Sequence, residues 1–364
     1  MIRTAPLLAL AVAALASATF AQTQPAGPIE GPARSPQTQA PQSAQGPGRQ
    51  QPPRTVVTTT LVIVPVRVKD SHGQLVGDLT RDEFRVLEDD IERRVITFSA
   101  EPVPISAVVL LQNDLAEKQA KQVQQSLVSI SAGFGPNDEV AMMSYDQFPN
   151  TVLDFSKDND KLFTQLKRFE IGSHSTFVNP DPAMQSSIPS SGPKAPPIKA
   201  PGKYNSSSDL DDALYAAGQL LKDRGRDRRK IIFLITDGSN SKDNKHPFAD
   251  TSRSLLQSDI AVFAISVQRS VPIGKSLLQR GASAVDNYAK DTGGDTFYSS
   301  KADDLERLYS NVTEEARNEY TLTFQPDPAD RTKDFHAIEV RVTRPGLDIR
   351  TRNGYYLSSL TIGH

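Results

Sequence analysis

The stretch Lys230-Ile231-Ile232-Phe233-Leu234-Ile235-Thr236-Asp237-Gly238 is apolar without interruption from Ile231 to Ile235, then stops on a hydroxyl, a carboxylate and a glycine. A strand with one wet face alternates apolar and polar residues. A strand apolar on both faces belongs in a sheet covered by helices on both sides. Three further runs have this character: Ala107-Val108-Val109-Leu110-Leu111, Glu139-Val140-Ala141-Met142-Met143 and Ile260-Ala261-Val262-Phe263-Ala264-Ile265. Apolar residues at helical spacing lie between or after them, at Val123, Leu127 and Ile130, at Leu210, Leu214 and Leu221, and at Leu305, Leu308, Tyr309, Val312 and Ala316. Ser300-Lys301-Ala302-Asp303 supplies a start signal for the last of these. Strand and helix in alternation predict a doubly wound α/β domain over residues 104–318.

The style changes on both sides of that domain. Val56 to Val68 is β-branched and alternating, and Asp70-Ser71-His72-Gly73 closes it with turn chemistry. Leu79 to Phe84 reads as a short helical turn. Phe84-Arg85-Val86-Leu87-Glu88 and Val95-Ile96-Thr97-Phe98 then alternate around an acidic turn at Asp89-Asp90. From Glu319 the alternation returns in Tyr320 to Phe324, Ala337 to Val342 and Asp348 to Thr351, with a Pro345-Gly346 turn before the last. Two β-rich flanks, 55–103 and 319–358, are expected to pair with each other as one small antiparallel β domain into which the α/β domain is inserted. The segment 172–208, rich in Pro, Ser, Gly and Lys, fits neither pattern and is expected to be a long flexible insertion.

The beginning of the chain reads as an address. Arg3 precedes an Ala- and Leu-rich run from Ala5 to Ala18 and the small residues around Ala21, the pattern of an export signal over residues 1–21. That run is shorter than the roughly 20 apolar residues of a membrane span, and no later segment is longer. Residues 22–54 are dominated by Pro, Gln, Ala, Gly and Ser and are expected to be a disordered linker. The chain has no Cys, so neither a disulfide framework nor a lipid-modified cysteine is available to it. With 41 basic and 43 acidic residues, a net charge of −2 gives no field favouring nucleic acid or an anionic membrane. The expected location is exported, periplasmic or secreted.

No grouping of side chains announces catalysis. Gly274-Lys275-Ser276 lacks the glycine and the amide donors of a phosphate loop, with Arg269 and Pro272 in their places. Ser239-Asn240-Ser241-Lys242 has the spacing of a Ser/Lys pair but follows a strand end rather than opening a helix. His72, His174, His246, His336 and His364 are too scattered for a metal pair and are expected to be exposed turn residues. The basic run Arg224 to Lys230 is expected to be the solvated end of a helix, where cations favour the macrodipole.

The order of elements, the strand end Leu234-Ile235-Thr236-Asp237-Gly238-Ser239-Asn240 and the later Asp291-Thr292-Gly293-Gly294-Asp295-Thr296-Phe297-Tyr298 resemble von Willebrand factor type A domains. Three pieces narrow the resemblance to the exported VWFA-related proteins of Acidobacteria: Val68-Lys69-Asp70 through Phe84, the Tyr145-Asp146 strand end, and Arg352-Asn353-Gly354-Tyr355-Tyr356. The likeness spans about residues 56–357. It implies a Rossmann-like sheet with a metal-ion-dependent adhesion site at the carboxyl ends of its central strands, built from D-x-S-x-S, a Thr and an Asp. This sequence departs from that set. Gln112 stands for the first Asp, Asp114 and Ala116 for the two Ser, Asp212 for the Thr, and Asp237 alone is retained.

The candidate metal-site residues are therefore Gln112, Asp114, Asp212 and Asp237. Three arrangements are open: a face without metal, a cation such as Ca²⁺ or Mg²⁺ held by an altered ligand set, or a site filled by a protein cation such as Lys118. The expected function is an extracytoplasmic protein-binding or adhesion module without enzymatic activity or obligate cofactor, acting on a protein partner. The alternatives are a divalent-cation-dependent hydrolase using the acidic crevice and a structural envelope component.

Overall fold

The computed structural model of the chain describes residues 61–172, 208–267, 283–299, 301–327 and 333–359. The expected export signal, the linker and nearly all of the 172–208 insertion lie outside the described residues, as do Ser300, His174, His364 and the Gly274-Lys275-Ser276 motif.

The continuous apolar runs become one six-stranded sheet. Its strands are β5 (Ile105–Gln112), β6 (Glu139–Tyr145), β7 (Pro149–Ser156), β8 (Arg229–Thr236), β9 (Ile260–Ser266) and β10 (Thr296–Tyr298), in the spatial order β10-β9-β8-β5-β6-β7. All neighbours are parallel except β6 and β7. Every residue of β5 and of β8 is buried, as two covered faces require. Side chains of β5 still alternate. Ile105, Ala107, Val109 and Leu111 enter one core, Val108 and Leu110 the other. The first core is closed by α1 (Glu117–Ser126), α2 (Asn159–Arg168) and α6 (Ala302–Arg317), the second by α3 (Leu210–Leu221), α4 (Phe248–Gln257) and α5 (Ala284–Thr292).

One helix expectation is corrected. Val123, Leu127 and Ile130 do not share one α-helix, because α1 ends at Ser126 and the chain tightens into a 3-10 stretch, Leu127–Gly133. Helix α6 begins at Ala302, inside the expected start signal, with Asp303 in its first turn.

The flanks fold as two antiparallel sheets, β13-β1-β11-β4 and β14-β12-β2-β3. Their members are β1 (Val62–Lys69), β2 (Phe84–Glu88), β3 (Ile91–Arg93), β4 (Val95–Ser99), β11 (Tyr320–Phe324), β12 (Phe335–Val342), β13 (Asp348–Thr351) and β14 (Gly354–Tyr356). Each sheet takes strands from both ends of the chain. They share one core of Val62, Val64, Val66 and Val68 with Phe84, Val86, Tyr320, Leu322, Phe324 and Tyr355. The Asp89-Asp90 turn joins β2 to β3, with positive φ at both residues (49° and 67°), whereas β4 leaves for the other sheet. The expected pairing of Phe84–Glu88 with Val95–Phe98 is thereby corrected. A residue unpaired in either strand, Arg94, separates the two short runs and lets the chain change sheets.

Strand β1 turns its even-numbered residues into the sandwich core and its odd ones to the back. There Arg67, fully buried, meets Glu315 (3.1 Å), Glu319 (3.3 Å) and the carbonyl of Gly294 (2.9 Å). Lys69 joins through Glu315 (2.7 Å) and Asp295 (3.0 Å), and Arg229 through Glu319 (3.0 Å). Three cations and three carboxylates thus weld β1 to the α/β sheet. Among the described residues no helix is long and apolar enough to cross a membrane.

Candidate functional site

The strand order reverses between β5 and β8. From β5 the chain steps out to β6 and β7 on one side, then returns to build β8, β9 and β10 on the other. Helices therefore leave the carboxyl ends of β5 and β8 toward opposite faces, and the gap between them is where open α/β sheets bind ligands. Gln112 ends β5, Thr236 ends β8 and Asp237 follows it.

Gln112 is 1 % exposed and occupies that gap with its amide. Its Oε1 accepts from the Thr236 hydroxyl (2.7 Å) and from the Asp237 backbone N–H (2.9 Å). Its Nε2 donates toward Asp114 Oδ1 (3.0 Å), Ser208 Oγ (3.0 Å) and Ser239 Oγ (3.2 Å). Chemistry fixes the orientation of the amide. A backbone N–H only donates and an ionised carboxylate only accepts, so oxygen faces Asp237 and nitrogen faces Asp114. The Ser208 hydroxyl reaches both carboxylate oxygens of Asp114 (2.7 and 2.9 Å), and the buried Tyr145 hydroxyl donates to Thr236 Oγ1 (3.0 Å). Burial, with Asp237 and Asp114 adding to it, holds the Tyr145 phenol far above its usual range, so it remains a donor.

Of the four expected residues, the structure brings Gln112, Asp114 and Asp237 together and turns the carboxylate of Asp212 away. Asp212 sits in the first turn of α3 and closes the following loop. Its Oδ1 accepts from the His246 N–H (2.8 Å) and lies 2.8 Å from His246 Nδ1, and its Oδ2 accepts from the Lys245 N–H (3.0 Å). Burial pushes its carboxyl up, and the two amides with the imidazole outweigh that, so it ends below its usual range. The His246 ring stacks on Tyr215 with centroids 3.7 Å apart. Lys118 stays exposed on α1, and Ala116, at the N-cap of that helix, offers no ligand atom.

Asp146, Asp209 and Asp243 make the rim of the crevice acidic. Burial raises the Asp209 carboxyl, and Asp212, Asp243 and Asp146 add to the rise. Phe148, in the turn between β6 and β7, stands 68 % exposed beside this rim. Sequence reasoning missed Ser208, Thr236 and Asp209 as participants. Ser208 lies 96 residues from its partner Gln112, at the end of a segment with no periodic signal. Ser239, weighed as half of a Ser/Lys pair, has Gln112 and Ser208 as its hydroxyl's neighbours.

The donor set does not fit a divalent ion. Where ligand oxygens should converge on a cation, Asp114, Ser208 and Ser239 converge on an amide nitrogen. Among the described residues no three His, Asp or Glu side chains are grouped to hold a metal. Two other expectations are corrected. His336 is buried in β12, 2 % exposed, with Nδ1 2.8 Å from Asp89 Oδ2, rather than lying in an exposed turn. The basic run is a solvated helix end only in its first part, where Arg226 is exposed just beyond α3. Arg228 bonds Ser106 and the carbonyls of Ile105 and Asn137, while Arg229 and Lys230 are buried at the start of β8.

No family model matches the sequence, and no curated protein is similar to it. Solved structures of similar shape include BatB from Bacteroides thetaiotaomicron, 13 % identical over 58 % of this chain and 98 % of that one, with a TM-score of 0.38. The SpRpn10 VWA domain is 12 % identical over 58 % of this chain and 95 % of its own, with a TM-score of 0.36. Proximal thread matrix protein 1 from the mussel byssus, with a zinc-occupied MIDAS motif, is 13 % identical over 63 % of this chain and 50 % of its own, at 0.41. Similarity at this level does not assign a family.

Proposed function

We propose that the chain is an exported protein-binding module of the von Willebrand factor type A kind that works through its switch-point crevice without a resident metal. One observation carries the reading. The Gln112 amide satisfies, from inside the protein, the oxygens that a cation would otherwise organise. The face around it is preformed, because Thr236, Ser208 and Tyr145 are held by the same network. An acidic rim beside an exposed aromatic is the chemistry of a protein contact, since aromatic residues, Phe among them, are enriched in interfaces and charges set register. In the crevice the Ser208 hydroxyl is paired with the Asp114 carboxylate, and among the described residues no histidine is hydrogen-bonded to it, so hydrolysis has less support there.

The test is capture by the purified chain of proteins from the native envelope, in EDTA and in Mg²⁺. The expected result is one partner recovered equally in both, and lost with Phe148→Ala or Asp243→Lys. Capture that requires Mg²⁺, or that ignores both substitutions, overturns the reading.

A further inference from the structure

At the opposite end of β8 from the crevice, a cavity of about 50 Å³ lies between the back of β1 and the first residues of β8 and β9. At roughly 10–15 Å³ of such volume per water, it has room for a few waters or one small anion. Its wall carries five cations, Arg226, Arg228, Arg229, Lys230 and Arg352, against two carboxylates, Asp259 and Glu319.

The carboxylates are already engaged. Glu319 Oε2 lies 3.0 Å from Arg229 Nε, and its other oxygen faces Arg67; Asp259 is paired with Arg352. Two donors are left poorly served. Lys230 is 5 % exposed, and its ammonium bonds the carbonyl of Lys222 at 3.3 Å. Arg352 is also 5 % exposed, and its Nε is buried without a hydrogen-bond partner. A buried donor left unsatisfied, and still more a buried charge, destabilises the fold, so this wall favours a ligand that brings acceptors and negative charge. Helices α4 and α5 end here, with Leu256 and Thr292 in the wall, and their carbonyl ends bring roughly half a negative charge each. That accounts for cations gathering at the wall. It does not supply an acceptor for Arg352 Nε, and Asp259 and Asp223, which favour the Lys230 ammonium electrostatically, form no ion pair with it.

We propose that this cavity is a binding site for a compact tetrahedral oxyanion of the phosphate or sulfate class, held by Lys230 and Arg352 at the seam between the β sandwich and the α/β sheet. Such an anion presents several acceptors within one small volume and forms charge-assisted bonds with both side chains. It also relieves the loss that burial imposes on the Lys230 ammonium, whose tendency to ionise is lowered chiefly by desolvation. Because β1 belongs to a flanking sheet, with Glu319 and Arg352 adjoining β11 and β13, and Lys230 belongs to the α/β sheet, the bound anion would act as a brace between them.

The test is titration calorimetry of the whole purified chain with inorganic phosphate, sulfate and acetate at constant ionic strength, with chloride as the balance. Both tetrahedral anions should bind saturably and acetate should not. Lys230→Gln should weaken the binding about tenfold or more, and Arg226→Gln should weaken it less. Phosphate and sulfate stabilise proteins generally by exclusion from the surface, so saturation is the deciding feature. No saturable binding to the unaltered protein up to about 20 mM overturns the proposal. So does binding that both substitutions leave unchanged, or acetate binding as tightly as phosphate. Should Lys230→Gln fail to fold, the unaltered protein and Arg226→Gln decide the matter.

Discussion

Arg67 on β1 and Glu319 just before β11 are 252 residues apart in the chain and meet at 3.3 Å with neither exposed by more than 3 %. Without Arg67 the buried Glu315 and Glu319 keep only Lys69 and Arg229, so two cations face three carboxylates, and breaking a buried ion network in this way costs about 3–5 kcal/mol. Arg67→Met should cost that much at neutral pH, read as a fall in the denaturant midpoint. The pH dependence follows from the direction of the shifts. Burial raises the Glu315 and Glu319 carboxyls above the usual 4.5 despite Arg67. A raised folded pKa gives stability that is complete below the unfolded value and lost as pH rises through the folded one. Without Arg67 that loss grows, so the variant should recover part of its deficit at about pH 5 relative to pH 8. An equal deficit at both would show that packing, not charge, is what Arg67 supplies.

Asp138 has the opposite sign. Burial pushes its carboxyl up, and Arg317 together with the N–H groups of Ile105 and Gly135 outweighs burial, leaving it below the usual 3.8. Its oxygens accept from Ile105 (2.8 Å), Gly135 (2.7 Å) and both terminal nitrogens of Arg317 (3.1 and 2.6 Å). The stability it contributes is present above the unfolded pKa and lost as pH falls through the folded one. Asp138→Asn should cost about 2–4 kcal/mol at pH 7, with the gap to the unaltered protein closing below about pH 4. A gap constant from pH 7 to 3 would contradict the assignment.

Two glycines separate space from conformation. A Cβ on Gly294 would lie 1.8 Å from the Val262 carbonyl oxygen, and backbone cannot give way there. On Gly73, φ is +76° but nothing lies within 4 Å. Gly73→Ala should cost about 1–2 kcal/mol, the left-handed penalty alone. Gly294→Ala should cost more than twice that, because β9 must move, and thermal melts of the two variants side by side would tell.

The parts of the fold legible in the sequence are those whose periodicity follows directly from burial. Ile231 to Ile235 is apolar throughout because both faces of β8 are covered, and Val62 to Val68 alternates because β1 has a core on one side and an ion network on the other. Strand β7 and helices α2, α4 and α5 escaped notice. Strand β7 lies at a sheet edge with no fully buried residue, and α2 buries only Leu162 and Leu166. The site was half legible. Strand ends place Gln112, Asp114 and Asp237 from their position in the order of elements. Nothing in the sequence says that Asp212 faces His246, because that depends on the path of the 239–247 loop. Nor does it say that Ser208 returns to Asp114, since the intervening segment has no pattern to follow.

The last prediction turns the crevice on its hydrogen bonds. Gln112→Glu preserves length and shape and leaves one oxygen to accept from Thr236 and Asp237. The other oxygen replaces Nε2 and faces Asp114 across about 3 Å, an acceptor against an acceptor and a charge against a charge. Like charges so close raise each other's pKa, and an unmet buried pair costs about 2–4 kcal/mol. At pH 8 the variant should be less stable by that amount. Lowering the pH toward 5 should restore it, since a proton shared by the two carboxylates rebuilds the lost donor. A cation does the same work, and Ca²⁺, which accepts irregular sets of six to eight oxygens, suits the site better than Mg²⁺, which demands an octahedron. Binding at 100 times the dissociation constant contributes about 2.7 kcal/mol, so millimolar Ca²⁺ should raise the melting temperature of the variant by several degrees and that of the unaltered protein hardly at all. A large Mg²⁺-dependent rise in the unaltered protein, abolished by Asp237→Ala, would mean that Gln112 swings aside to admit a metal and that the amide is a gate rather than a plug.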